Sequence, residues 1–123
     1  IEHIAQGQGK DDFNLLVDAG VIDERYRLTS GYHNTYGRLI ANQPSTTITN
    51  NMCTPSGLRC IHYEQNRALR PREGARIQSF PDWFKFYGTR TEVTKQIGNA
   101  VPPILALQIA NKVYELFEVR GNE

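Results

Sequence analysis

Cysteine is scarce. Cys53 and Cys60 are the only two among 123 residues, and their seven-residue separation is neither a CxxC redox motif nor half of a zinc site. With only three scattered histidines, the chain is read as carrying no structural metal and no disulfide framework, and the two thiols as small semi-buried packing residues. No run approaches the ~18 apolar residues of a membrane span. Glu2, His3 and Gln6 follow Ile1 without the basic and then apolar stretches of a secretory leader, so the expectation is an intracellular protein without a membrane partner. Ile1 in place of an initiator Met points to a piece of something longer. Internal repeats, low-complexity tracts and long linkers are missing too.

What remains is ordinary globular composition. The chain is 39% hydrophobic and 22% charged with a mean hydropathy of −0.52, enough to fold around one core that buries roughly two-thirds of the unfolded surface. The formal net charge of +1 conceals a division. Between Arg25 and Lys95 eleven basic residues face four acidic ones, while the two flanks together carry an excess of six negative charges. An arginine-rich middle suits a polyanion, because guanidinium forks match phosphate oxygens and guanine edges. The same arginines could instead pair with acidic flanks folded beside them, and charge alone leaves both readings open.

Texture changes along the chain. Asp11 and Asp12 ahead of Phe13, Leu15, Leu16 and Val17 predict a short helix that stops at Gly20. Residues 26–29, 38–40, 46–49 and 58–63 are short β-prone runs between Gly, Asn and Pro turns, and they predict a small antiparallel sheet with exposed loops. Pro71 suits the first turn of a helix on which Leu69, Ile77 and Phe80 share an apolar face before Pro81. Residues 102–119 predict a long helix with Asn99 as its cap, burying Leu105, Ile109, Val113, Leu116 and Phe117 and wetting its other side. The expected class is α+β: sheet and recognition loops, then a short helix, then a long one.

Two strings then carry a resemblance. Arg67-Ala68-Leu69-Arg70-Pro71-Arg72-Glu73-Gly74-Ala75-Arg76-Ile77-Gln78-Ser79-Phe80-Pro81 resembles motif IX of the DNA cytosine-5 methyltransferases. Gln96-Ile97-Gly98-Asn99-Ala100-Val101-Pro102-Pro103-Ile104-Leu105-Ala106 resembles motif X, the two strings stand in the family's order, and an aromatic passage at residues 80–84 lies between them. The likeness covers residues 36–117 and fades upstream, where target-recognition sequence varies. Arg70 departs from the family's more frequent Thr, and Gly74 and Ser79 stand at variable positions. The family's Phe-x-Gly-x-Gly, Pro-Cys-Gln, Glu-Asn-Val and Gln-x-Arg-x-Arg motifs do not occur, and neither cysteine is preceded by Pro.

The resemblance implies a reaction in which a cysteine thiolate attacks carbon 6 of a flipped cytosine, assisted by a glutamate, before a methyl group passes from S-adenosylmethionine to carbon 5. Lacking the nucleophile motif, this chain holds no catalytic residue and is expected to be inactive alone. Residues 1–95 correspond to the target-recognition portion with motif IX, and 96–123 to the motif X turn and the helix that would pack on an absent catalytic domain. Double-stranded DNA is the expected partner, through Arg38, Thr47, Thr49, Asn50 and Arg59. Thr47 is the favoured phosphate contact, although Thr is also good strand chemistry, and Arg25, Arg27, Asn34, Tyr36 and Arg59 are candidate base readers. Arg67, Arg72, Glu73, Arg76 and Gln78 form the motif IX framework, with Arg72 either scaffold or phosphate contact. Asn99, Ala100 and Val101 would line part of the S-adenosylmethionine pocket on a tight turn into the last helix. Trp83, Phe84, Phe86 and Tyr87 read as core or interface aromatics rather than a base-stacking platform. In isolation the exposed face of the last helix is expected to pair with a second copy. Two alternatives are a subunit of a naturally split methyltransferase and a stand-alone DNA-binding module. The expected setting is the bacterial cytoplasm or nucleoid.

Overall fold

The computed structural model describes residues 1–57 and 60–121. In chain order it contains α1 (Lys10–Asp18), a 3-10 turn (Glu24–Tyr26), α2 (Pro71–Ile77), α3 (Arg90–Asn99) and α4 (Pro103–Gly121). α1 starts as expected: the Asp12 carboxylate accepts the Gly9 N–H at 2.9 Å, and Asp11 and Asp12 stand at the positive end of the helix dipole. Phe13 and Val17, one turn apart, are buried, whereas Leu15 is exposed. Gly20, at φ +70°, turns the chain away.

The sheet expected in an α+β fold is absent. Among the described residues there is no β-strand, only isolated bridges between Arg38 and Ile61 and between Ile61 and Ala68. The physical reason lies in what occupies the backbone groups of the β-prone runs. The Asn14 side-chain amide both donates to the Leu28 carbonyl and accepts its N–H, each at 3.0 Å, replacing a neighbouring strand with a side chain. Residues 49–50 lie against α3. Residues 37–39 and 60–62 pair through Leu39 N–H to Ile61 O and Ile61 N–H to Gly37 O, and the ladder ends there.

Arg38 supplies the missing cross-links. It is 5% exposed, and its guanidinium donates to the carbonyls of Ile4 (2.6 Å), His62 (2.8 Å), Gln65 (3.1 Å) and Ile1 (3.0 Å) and to Asn66 Oδ1 (2.6 Å). All five N–H donors are used. Adjacent residues of one segment then serve two apolar clusters. Cys60 lies with Leu39, Ile48, Met52, Leu69, Ala75 and Ile97, and Ile61 lies with Ile4, Phe13 and Val17. Burial pushes the Cys60 thiol up to about 11, which suits a packing residue.

The C-terminal elements differ from expectation in three ways. α3 was not foreseen, although Thr89 and Glu92 form a capping box in which the Thr89 N–H donates to Glu92 Oε2 at 2.7 Å and the Glu92 N–H to Thr89 Oγ1 at 3.3 Å. Gly98 and Asn99 therefore end a helix instead of forming a turn, and Ala100 leaves it in extended conformation (φ −75°, ψ 145°). Asn99 does not cap α4; the Ile104 N–H is capped from outside by Ser79 Oγ at 3.2 Å. Lastly, α4 is not half buried. Leu105, Ile109, Val113, Leu116 and Phe117 are between 46% and 70% exposed, because no other described element lies against it.

Removing the Arg38 guanidinium strands four carbonyls and one side-chain amide oxygen, each costing about 1–3 kcal/mol when buried and unpaired. Arg38→Ala is expected to lower unfolding free energy by about 3 kcal/mol or more, or to prevent folding, in chemical denaturation. A loss below about 1 kcal/mol contradicts the role assigned to this network.

Candidate functional site

The site is built on α2. Arg70 is extended, as a residue before proline must be, and Pro71 occupies the first helical position, where no N–H is needed. Glu73 then reaches back: its Oε2 accepts the Arg70 N–H at 2.7 Å and an Arg67 N–H at 2.8 Å, while Oε1 accepts a second Arg67 N–H at 2.6 Å. The bidentate Arg67 fork, followed by the Arg70 N–H, holds the Glu73 carboxyl at about 2 against a desolvation effect in the opposite direction. Arg72 donates to the Phe84 carbonyl at 2.9 Å and lies over the Phe86 ring at 5.5 Å. Arg76 grips Asp82 with two bonds of 2.7 and 2.9 Å. These side chains tie α2 to the chain before and after it.

Ile77 is more exposed than the shared apolar face required, while Leu69 is buried and Phe80 packs on the core. Phe80, Phe84 and Phe86 cluster with centroids 5.0 Å apart, but Trp83 and Tyr87 project outward. At the end of α2, Gln78 donates through Nε2 to the Ile97 carbonyl at 3.1 Å, joining this helix to α3. Ser79 adopts φ +63° and caps α4. These two adjacent residues connect three helices.

The segment carrying Thr47, Thr49 and Asn50 is held between α2 and α3 by two close approaches. A Cβ on Gly74 would collide with the Met52 side chain, and one on Gly98 would stand 2.5 Å from Asn50 N and 2.6 Å from the Thr49 carbonyl carbon. Met52 is fully buried. Thr47 and Asn50 are exposed, and Thr49 is half-buried with its Oγ1 accepting the Asn51 N–H at 3.3 Å. Beside them opens a groove of about 370 Å³ lined by Ser45, Thr46, Thr47, Ile48, Ile77, Gln78, Gly98, Ala100 and Pro102. Thr47, Gln78 and Ala100, which the sequence assigned to three different tasks, meet on its walls. Thr46 Oγ1 is buried there without a hydrogen-bond partner.

Other expected residues lie elsewhere. Arg38 has its donors committed inside the fold, and Arg27 is bound to Glu24 and Asp18, as the charge-pairing alternative supposed. Arg25 is paired with Asp23 and lies over the Tyr26 ring at 4.8 Å. Asn34 is half-buried, and Tyr36 adopts φ +55° with its N–H on Pro55 O. Arg59 lies outside the described residues. Asn99 and Val101 are exposed at the end of α3 and just after it. Ser79 was missed as a site-forming residue, since only its tertiary contact with α4 distinguishes it.

The profile of the family described as C-5 cytosine-specific DNA methylase matches residues 3–115. The chain belongs to that family. It is 45% identical over 117 residues to Type II methyltransferase M.BbvI of Brevibacillus brevis, across 95% of its own length and 30% of that protein. It is 43% identical over 99 residues to Type II methyltransferase M1.HphI of Haemophilus parahaemolyticus, across 80% and 25%. DNA (cytosine-5)-methyltransferase 3 of Arabidopsis thaliana is 44% identical over 96 residues, covering 75% of this chain and 7% of that protein. The chain thus spans at most about a third of the length of these curated relatives.

The Glu73 assembly has a pH signature. A carboxyl lowered in the folded state binds fewer protons than in the unfolded chain, so its stabilisation is complete above its ordinary value of 4.5 and disappears as pH falls toward about 2. In Glu73→Gln that contribution is missing at neutral pH. The difference in melting temperature between wild type and variant is therefore expected to stay level from pH 7 to about pH 5 and to shrink from there to about pH 2.5. A difference independent of pH refutes the assignment.

Proposed function

We propose that this chain is the target-recognition part of a DNA cytosine-5 methyltransferase together with the motif X segment that returns to the catalytic domain. The observation that carries this reading is the groove in which Thr47 of the candidate DNA segment, Gln78 of motif IX and Ala100 of motif X meet. Residues 1–95 supply DNA recognition and 96–123 the return, with α3 bridging the two roles. Methyl transfer from S-adenosylmethionine to carbon 5 of a cytosine in duplex DNA then needs a nucleophile from elsewhere, because Cys60 is buried with a raised pKa and Cys53 contacts Thr94 at 3.6 Å. The chain alone is inactive in this reading.

The residues near Ala100 fit part of the cofactor. The groove lining is neutral throughout, and Asn99 and Val101, which flank Ala100 in sequence, are exposed. Such a wall suits the uncharged nucleoside portion, while the sulfonium and amino-acid charges require residues of the catalytic domain. The methyl group itself is supplied by S-adenosylmethionine when bound. On the DNA side, Thr47 is an exposed hydroxyl on a segment immobilised from both flanks, which suits a backbone contact that positions the duplex without reading sequence. Arg70, Lys85, Arg90 and Lys95 are exposed positive charges that attract the same polyanion.

α4 supports the same reading. Its apolar residues face outward over most of its length, the state of a helix whose packing partner is another part of the enzyme. No helix of the described residues is long and apolar enough to cross a membrane, so this surface is no membrane span.

With labelled S-adenosylmethionine and cytosine-containing duplex, the purified chain is expected to bind DNA in a salt-dependent manner and transfer no methyl group; transfer by the chain alone overturns the proposal. Co-expression with the missing portion of such an enzyme should restore methylation, whereas DNA affinity without restoration points to a binding module. Thr47→Ala is expected to weaken duplex binding by about 10-fold or more irrespective of sequence, the effect of one hydroxyl hydrogen bond to a charged phosphate.

A further inference from the structure

The structure assigns Gly98 a positioning role: it sets the separation between the DNA-facing segment 47–50 and the cofactor-side connection 99–101. The inference deepens the proposed function and rests on it for the identity of the two ligands. A Cβ at position 98 would lie 2.5 Å from both Asn50 N and Asn50 Oδ1 and 2.6 Å from the Thr49 carbonyl carbon. Two of these three atoms are backbone, so no side-chain rotation makes room. Gly74 differs, because its obstacle is the flexible Met52 side chain, which can repack.

α3 cannot retreat to relieve such a clash. Ile97, one residue earlier, is completely buried, and its carbonyl accepts from Gln78 on α2. Asn99 and Ala100 follow at once, so any displacement at 98 reaches the candidate cofactor contacts on one side and Thr49 and Asn50 on the other. A backbone contact between two ligand-bearing segments fixes their spacing without contributing an atom to either ligand. Misplacement on the scale of an ångström is enough to weaken a preorganised site greatly.

The test compares the full 123-residue chain with Gly98→Ala, by backbone amide NMR and by fluorescence anisotropy on a duplex containing cytosine. Joint displacement of the Thr49, Asn50, Asn99 and Ala100 resonances is expected, with Phe13 unmoved, together with a loss of duplex affinity of about 10-fold or more. Leu15→Ala, an exposed substitution on α1 outside these contacts, should stay within about twofold of wild type. In an Asn50→Gly background, whose backbone can give way, Gly98→Ala should cost less than about threefold. That paired comparison also decides the matter if the single variant does not fold. Affinity within twofold of wild type in folded Gly98→Ala, or equal loss in both backgrounds, overturns the inference. If the wild-type chain binds no duplex, the preceding functional reading falls, and the resonances decide alone: displacement of 49–50 along with 99–100 upholds the spacing role, and displacement confined to 99–100 refutes it.

Discussion

The fold depends on one buried cation without a carboxylate partner. Arg38 satisfies its five donors with four main-chain carbonyls and one side-chain amide oxygen, drawn from residues 1, 4, 62, 65 and 66. In a chain without strands among its described residues, these bonds do the work of a sheet. They hold the N-terminal segment against the 60–66 region, so that Cys60 and Ile61 can turn into separate apolar clusters. A lysine could not replace it, since its compact ammonium has three donors and no planar fork.

From that anchor the site is assembled by contacts of minimal reach. Glu73 closes α2 onto Arg67 and Arg70, Gln78 joins α2 to α3, and Ser79 starts α4. Gly74 and Gly98 then allow the threonine segment to approach both helices closely. The two motif strings therefore form one mechanical unit rather than separate signatures. Trp83 and Tyr87 and the outer surface of α4 stand outside that unit, exposed in this chain, which spans a minor fraction of its relatives' length.

Legibility in the sequence followed the range of the interactions. α1, α2 and α4 were readable because acidic first turns, Pro at a helix start and helical spacing act within a few residues. The Thr89–Glu92 box that announces α3 is equally local and was passed over in favour of a turn at Gly98 and Asn99. The sheet was misread because β-prone residues record a preference for extended backbone, not the presence of a neighbour. Asn14 and Arg38, far away in sequence, took the hydrogen bonds that strands would have shared. Arg38 was likewise expected on DNA, because a buried arginine and a phosphate-binding one look alike as residue types.

Family membership was legible in the sequence itself, since it resides in the order of residues along the chain. Length and charge distribution were also its own, including the basic middle between acidic flanks. Tertiary structure alone decided which arginines are committed inside the fold, that Thr47, Gln78 and Ala100 share a groove, and that Gly98 lies against Thr49 and Asn50. Helix starts are governed by groups within one turn of each other, whereas these relations join residues tens of positions apart, whose meeting depends on how the whole chain packs.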